Sequence, residues 1–529
     1  MKKRNFLKSL LLLLSSIPLK LYSNQNQDNP SFDYGVASGD PTNSHVILWT
    51  KISKSNKSNI DVKWEVSTEN DFTEILASGT KTSIHSDNFT VKVDVNIPKK
   101  YNGKKIYYRF YYDDIFSDIG ITSTLPLDDP DIYNIAFCSC SNYPAGFFNS
   151  YKEIARNADI DLVLHLGDYI YEYGANVYPS EGSEEMGRAV DPPHEIVTLE
   201  DYRRRYALYR SDVDLQELHS SKPMIVIWDD HEFTNNTWKN GAENHSNDEG
   251  IFEERIQNAI KAYYEWMPIR EKKYKSSIWR DFKVGNLFQL LMLDTRYFYR
   301  DKQVDINTFI DNGIIDKERY KESLNQERSL LGADQHSWIE QTVSNKFKWS
   351  LFGQQLLIGP KYLPALFRDF NRNELPNYLK NIIDIAGAKL PYNTDQWDGY
   401  PKARAKFYEN IKASQSSIIL AGDSHDSWLS NLYNNQNKFI GIEIGAPSIT
   451  SPNSVDTFGK NIDKIEEAFR SENKDLAWID GKNKGYVELA ISNKDIKVSY
   501  HYVSTVKSSN YQSLKPMTFV INNNQPIKI

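Results

Sequence analysis

The chain has 529 residues, of which 40% are hydrophobic, and a formal net charge of −7. That length exceeds what one ordinary core holds and predicts two or more domains, or one large elaborated one. The apolar content excludes a disordered chain, and the acidic balance argues against a nucleic-acid binder, which would carry a basic footprint.

In chain order, Met1-Lys-Lys-Arg-Asn-Phe-Leu-Lys8 precedes Ser9 and the apolar run Leu10 to Leu14. A basic start, a short apolar core and a polar exit describe a secretory signal. The apolar core is too short to span a bilayer. An export signal is expected over residues 1–23, with cleavage near Ser23; a retained N-terminal anchor is the alternative. No later segment is long and apolar enough to span a bilayer, so the mature chain is expected to lie in the periplasm, on the cell surface or in the medium.

Residues 32–127 read as all β. The stretches 46–50, 60–66, 90–95 and 106–112 alternate or are rich in aromatic and β-branched residues, with polar and glycine-bearing turns between them. Short strands at this spacing suggest a small sandwich that packs against the body that follows. Leu127-Asp-Asp-Pro130 reads as a linker. Over residues 131–505 strands alternate with helical stretches at 148–156, 199–209 and 250–266, the α/β signature. Segments 300–326, 360–394 and 455–482 are charged, loop-rich excursions of the kind that form lids or rims. Residues 485–503 return to strands, and 506–529 form a C-terminal extension.

Several apolar runs end in polar clusters. They are Ile135-Ala-Phe-Cys-Ser-Cys140, Asp161-Leu-Val-Leu-His-Leu-Gly-Asp-Tyr-Ile-Tyr-Glu172, Met224-Ile-Val-Ile-Trp-Asp-Asp-His-Glu232 and Ile418-Ile-Leu-Ala-Gly-Asp-Ser-His425. Ligands of open α/β sheets bind outside the carboxyl ends of the strands. One Gly-Asp after a strand is a turn former or helix cap; four such runs ending in ligand-type residues point to a metal site. The two cysteines, Cys138 and Cys140, are one residue apart. On one strand they face opposite ways, so no disulfide is expected and Cys140 is free to be a thiolate ligand.

These runs resemble the PhoD-type alkaline phosphatases, a branch of the calcineurin-like metallophosphoesterases. The similarity also rests on Tyr34-Gly-Val-Ala-Ser-Gly-Asp-Pro41, Leu331-Gly-Ala-Asp-Gln335 and Asp398-Gly-Tyr-Pro401. It implies a four-layer α/β catalytic body behind an N-terminal domain of immunoglobulin or fibronectin type. It also implies export by the twin-arginine route, although Lys3 stands where the first arginine of that signal belongs; the general secretory route is the other possibility. Ser141 replaces the family's frequent glutamine after the cysteine, and Val213 its proline after Asp212.

Sorted by softness, Cys140, Asp168, Tyr171 and His425 offer thiolate, carboxylate, phenolate and imidazole. A free phenol keeps its proton to pH ~10, so a phenolate ligand selects a strongly acidic ion, and ferric iron fits. The resemblance implies Fe3+ there. At the second site Asp168 would bridge, with Asp230, Asp423 and Gln355 (or, as a second choice, Gln354) supplying oxygen. Hard oxygen donors favour Ca2+, which the resemblance also implies. A metal-activated water would attack phosphorus, with His231 stabilising the transition state or protonating the leaving alkoxide. Glu232 and His165 would orient the ligands, a core histidine being the other reading of His165. Arg203 and Arg296 would clamp phosphate, unless Arg203 lies on a solvated helix face. The expected function is hydrolysis of phosphate mono- or diesters. A diesterase acting on phospholipid or teichoic-acid-like polymers, and a non-catalytic binding or adhesion protein, are the alternatives.

Overall fold

The apolar runs in the middle of the chain are buried on both faces, the pattern of parallel strands covered on each side. In the computed structural model, which describes residues 30–528 except 55–57, 272–276, 312–313, 376 and 524, they build two sheets. The export signal expected over residues 1–23 lies outside the described residues. In the first sheet Ile132–Cys138, Leu162–His165 and Pro223–Val226 run parallel, with Leu164 in register between Phe137 and Ile225. In the second, Phe288–Met292, Trp349–Gly353, Ser417–Ala421 and Phe439–Gly445 run parallel.

One contiguous core joins the two sheets, bringing Phe137, Leu162 and Leu164 together with Leu290, Leu351 and Leu420. The same core takes in the helices α1 (Asn149–Arg156), α2 (Leu199–Arg210), α3 (Val213–Ser221) and α4 (Phe252–Trp266) through Ile154, Tyr206, Leu215 and Ala259. The helices Gly332–Thr342 and Pro401–Asn410 cover the second sheet, packing Ile339 and Phe407 with Phe352 and Ile419. The layers therefore run helix, sheet, sheet, helix. Helix α3 is absent from the expectations above: Asp212, two residues beyond α2, is the N-cap of α3 and accepts from the N–H groups of Asp214 and Leu215.

The N-terminal strands form two sheets, and only one of them is their own. Ile75–Ser83, Ile60–Ser67, Ile106–Tyr112 and Ile115–Phe116 form a separate sheet, with Gly120–Thr122 beside Ile106–Tyr112. Val36–Gly39, His45–Lys51 and Thr90–Asn96 instead extend the first catalytic sheet, which becomes nine-stranded. Val36–Gly39 pairs in parallel with Pro223–Val226 and so covers an edge that would otherwise be open. Val46, Leu48 and Val91 share one core with Val62, Tyr108 and Phe110 of the separate sheet. At the opposite end Met517–Asn522, from the C-terminal extension, pairs with Asp495–Val503. The charged excursions are not bare loops. They share a satellite core that includes Ile306, Tyr320, Leu363, Phe367, Ile465 and Phe469. Among the described residues no helix is long and apolar enough to cross a membrane.

Asp40, from the N-terminal glycine-rich motif, ties these parts together. It is buried; Arg280 donates to its Oδ1 at 2.7 and 3.0 Å, and the Arg270 N–H donates to Oδ2 at 2.8 Å. Arg280 also donates to the Val226 carbonyl at 2.6 Å, which joins the edge strand of the second sheet to the first. Removing one partner of a buried pair leaves the other charge uncompensated, at a cost of about 3–5 kcal/mol. Asp40→Ala is therefore expected to lower the urea-unfolding free energy by about that amount, read as a shift of the midpoint at constant slope.

Candidate metal centre

Three of the parallel strands, Ile132–Cys138, Leu162–His165 and Ser417–Ala421, end in sharp turns. Cys140 (φ 63°), Asp168 (φ 55°), Asp423 (φ 57°) and His425 (φ 66°) all adopt the left-handed conformation. For residues other than glycine this costs on the order of 1–2 kcal/mol each and clusters at functional sites. Gly167 (φ 106°) lets two of these turns touch, since a Cβ there would lie 2.3 Å from the Cβ of Asp229. Glu232 fastens them. Its carboxylate accepts the backbone N–H groups of Asp168 (3.0 Å), Tyr169 (2.5 Å) and Asp229 (2.6 Å). It therefore holds the ligand-bearing turns after Leu162–His165 and Pro223–Val226 in fixed relation.

The turns bring Cys140, Asp168 and His425 together, with ligand atoms all within 4.8 Å of one another. Tyr171 joins them: its hydroxyl donates to Asp168 Oδ2 at 3.1 Å, lies 3.5 Å from His425 Nε2, and accepts from Ser451 at 2.7 Å. His425 Nδ1 donates to the Pro452 carbonyl at 2.7 Å, which fixes the tautomer and leaves Nε2 with its lone pair toward the cluster. Burial pushes the Cys140 thiol, the Asp168 carboxyl and the Tyr171 phenol well above their usual ranges, the Asp168 carboxylate adding to the shift at both Cys140 and Tyr171. Burial also lowers His425 to about 4, so the imidazole is neutral. A highly charged cation reverses the cost of burying the anionic groups, because it supplies the charge that desolvation removes.

A second cluster adjoins the first. Asp229, Asp230 and Asp423 also have ligand atoms within 4.8 Å of one another, and Asp168 and Asp230 make a third such group with His231. Asp168 Oδ1, Asp229 Oδ2 and Asp230 Oδ1 are buried without hydrogen-bond partners. Orphaned buried carboxylate oxygens that converge in this way fit a hard cation. Burial raises Asp423 to about 7 and lifts Asp229 well above the carboxylate range; Arg296 opposes the shift at both. At Asp230 burial is outweighed by Arg296 and His231, which hold it at about 2.

His231 lies beside both clusters. Its Nδ1 is 2.7 Å from Glu172 Oε2, and its ring stacks on Tyr171 with centroids 4.2 Å apart. Burial alone would lower its pKa, but the carboxylates of Glu172, Asp168 and Asp230 raise it well above the usual histidine value. Glu172 is itself held by the Asn235 N–H at 2.7 Å. The arrangement can hold two cations and present a protonated imidazole next to them.

Comparison with known proteins decides the family. The model for "PhoD-like phosphatase" matches residues 135–500, and that for "PhoD-like phosphatase, N-terminal domain" matches residues 18–126. The chain belongs to the PhoD-like phosphatase family. Alkaline phosphatase D of Bacillus subtilis (strain 168) is 33% identical over 496 residues, covering 90% of this chain and 78% of that protein. A solved structure described as "Structure of PhoD" superposes with a TM-score of 0.78 at 30% identity, covering 95% of this chain and 92% of that one. As a PhoD-like phosphatase, the chain is a phosphoric-ester hydrolase.

Three sequence-based expectations for this PhoD-like phosphatase need correction. The Gln355 amide is fully engaged: its oxygen accepts the N–H and the hydroxyl of Thr295, and its nitrogen donates to the Trp228 (2.6 Å) and Leu293 (3.2 Å) carbonyls. It ties strand ends together and has no lone pair left for an ion. Gln354 is likewise spent, on Leu356 and Trp397. Arg203 lies away from the centre, paired with Glu265 at 2.6 and 2.7 Å and with the Ser86 carbonyl. Its neighbour Arg205 faces inward instead and donates to the carbonyls of Tyr171 and Tyr173. Arg296 does reach the centre, but its guanidinium is taken by Asp229, Asp395 (2.7 Å) and Asp423 (3.1 Å) rather than left open for phosphate.

The first reading of His165 also gives way to the second. Its Nε2 pairs with the Tyr151 hydroxyl of α1 at 2.8 Å, so it packs helix against sheet. Residues that sequence reasoning did not single out are Asp229, Glu172, Ser451, Asp395 and Gln396, the last donating to Asp423. Asp229 and Glu172 stand directly beside chosen residues; the other three follow no pattern that marks them. Both cysteines are free, and Ser141 donates to the Tyr169 carbonyl at 2.9 Å.

Glu172→Gln keeps the shape of the His231 support and removes its charge. It is expected to lower kcat for p-nitrophenyl phosphate about 10–100-fold, with the bound metal content unchanged by metal analysis. Arg203→Ala is expected to leave kcat/KM within about twofold while reducing thermal stability, a difference that separates a surface tie from a phosphate clamp.

Proposed function

We propose that this chain is an exported alkaline phosphatase that hydrolyses phosphate esters at a dinuclear iron–calcium centre. The observation that carries the reading is the convergence of a thiol, a phenol, an imidazole and four carboxyls on adjoining buried clusters, with three carboxylate oxygens unpartnered. Cys140, Asp168, Tyr171 and His425 would hold Fe3+. Asp168, Asp230 and Asp423, joined by Asp229 in place of Gln355, would hold Ca2+. Such a pair of cations supplies positive charge to the phosphate oxygens and makes water a stronger acid at neutral pH.

The side chains of this chain supply the rest. His231, kept protonated by Glu172, Asp168 and Asp230, gives its Nε2 proton to the departing alkoxide as the P–O bond breaks. Glu172 fixes the ring, and the stack on Tyr171 limits its rotation. Glu232 keeps the Asp168 and Asp229–Asp230 turns at constant separation. The basic start and short apolar core of residues 1–23 support export by the twin-arginine or general secretory route. The N-terminal segment 32–127, of immunoglobulin or fibronectin type, would stiffen the catalytic body 131–505 by extending its first sheet.

The test is hydrolysis of p-nitrophenyl phosphate and bis-p-nitrophenyl phosphate at mildly alkaline pH, with EGTA and with calcium restored. Turnover is expected to vanish with EGTA and return with calcium, and the two rates rank monoester against diester. Cys140→Ala is expected to lose iron by metal analysis. His231→Gln is expected to keep both metals while kcat falls about 10²–10⁴-fold. Full turnover in EGTA, or iron retained by the Cys140 variant, would overturn the metal assignment.

A further inference from the structure

The motif Asp398-Gly-Tyr-Pro401 carries part of the family resemblance but has no place in the mechanism above. In the fold it anchors the short segment that precedes it. The Asp398 carboxylate accepts from Arg404 Nη1 at 2.5 Å and from the Lys361 N–H at 2.9 Å. Gly399 closes the turn, since a Cβ there would lie 2.0 Å from the Thr394 carbonyl oxygen. The Tyr400 hydroxyl donates to the Asp301 carbonyl at 2.7 Å, and the Arg300 guanidinium lies over its ring, 4.9 Å from the centroid. Asp395 and Gln396 sit inside this turn, and both reach the candidate metal centre.

Arg296 is where Asp395 acts. The guanidinium donates through Nε to Asp229 Oδ1, through Nη1 to Asp395 Oδ2 at 2.7 Å, and through Nη2 to Asp423 Oδ1 at 3.1 Å. Among the described residues, Asp395 is the one carboxylate ion-paired to Arg296 that belongs to none of the three ligand clusters. Arg300 fixes it in turn, donating to Asp395 Oδ1 at 2.5 Å and to its carbonyl at 2.8 Å. At the other oxygen of Asp423, Gln396 donates to Oδ2, while its own amide oxygen accepts the Leu357 N–H.

The free oxygens follow from these ties. Asp229 spends Oδ1 on Arg296, and Asp230 spends Oδ2 on the Asn236 N–H at 2.6 Å. Asp229 Oδ2 and Asp230 Oδ1 are buried and unpartnered. A carboxylate held by one oxygen presents the other, which is how outer partners orient ligands. Arg296 Nη2 stands only 3.8 Å from Asp230 Oδ1. A guanidinium released from Asp395 has that oxygen within reach and competes with a cation for it.

We propose that Asp395 and Gln396 are positioning residues for the oxygen-rich cation site. Asp395 holds Arg296 to the side, so that the guanidinium orients Asp229 and Asp423 without claiming the free oxygen of Asp230. Gln396 sets Asp423 from its other oxygen, and the Asp398–Pro401 turn keeps both residues in place. Neither touches the reacting atoms. The inference rests on the two-cation reading above and deepens it: this segment sets the affinity for calcium and leaves the iron-side ligands alone.

The experiment titrates calcium into the full-length, iron-containing protein after removal of calcium with EGTA, by calorimetry, with iron measured by metal analysis. Asp395→Asn is expected to raise the calcium Kd about 10–100-fold with iron unchanged, and Asp395→Glu to recover part of the loss. Gln396→Leu is expected to raise it about fivefold, the size of one hydrogen bond. Because Asp395 acts through Arg296, adding Asp395→Asn to Arg296→Met is expected to change the Kd by no more than about twofold. A residue that only stabilises the fold would cost the same in both backgrounds. An unchanged Kd in Asp395→Asn, an equal loss in the Arg296→Met background, or iron lost together with calcium overturns the positioning role and leaves the two-cation reading intact. If Asp395→Asn does not fold, Gln396→Leu decides by the same criteria of Kd and iron. Wild-type protein that takes up no calcium overturns the calcium reading and the positioning role together.

Discussion

Like charges crowded out of water dominate this molecule. Asp168, Asp229 and Asp230 are buried, with Asp423 beside them, and the only cationic side chains ion-paired to these four among the described residues are those of Arg296. Burying an ionised carboxylate without compensation is so costly that the group normally takes up a proton instead. The raised pKa values of Asp168, Asp229 and Asp423 express that pressure. A chain that concentrates acids in this way is stable only if the surrounding structure holds them together, and most of the structure does that. Glu232 clamps two turns, Gln355 ties three strand ends, and Gln335 grips both the N–H and the carbonyl of Asp294 at 2.9 and 2.8 Å.

The two-sheet arrangement explains why the acids can meet at all. A single parallel sheet lines its loops along one edge, so residues from distant strands stay apart. Two sheets stacked with their carboxyl ends at a shared edge bring turns from Leu162–His165 and Pro223–Val226 opposite the turn from Ser417–Ala421. The left-handed residues then turn each side chain back into the gap between sheets. Strain at Cys140, Asp168, Asp423 and His425 is thus distributed over turns that the packed core holds rigid.

Much of this was legible in sequence because it rests on periodicity. The strand Ile106–Tyr112 was read at its observed bounds, since its buried and half-exposed residues alternate. What escaped rests on direction and on distant partners. In the run from Arg203 to Arg205 successive side chains turn by about 100°, so only one faces the centre, and the pattern does not say which. Gln355 reads as a ligand because it ends a strand; that Thr295 saturates it is a fact of an adjacent strand end. Ser451 and Gln396 lie in loops, where no period exists to mark them. Helix α3 escaped because only Ser211 and Asp212 separate it from α2.

The nine-stranded sheet has one further consequence. Its middle strands come from residues 132–226, but their neighbours on one side come from residues 36–96 and on the other from residues 484–522. During synthesis the strands that carry Cys140, Asp168 and Asp230 emerge long before the pair Lys484–Ser492 and Asp495–Val503 that closes their flank. His425, too, is made late. The metal centre is therefore complete only when nearly the whole chain has left the ribosome, and the half-built sheet presents an open edge until then. A protein assembled in this order gains from a route or a chaperone that shields that edge and delivers the ions to a finished fold.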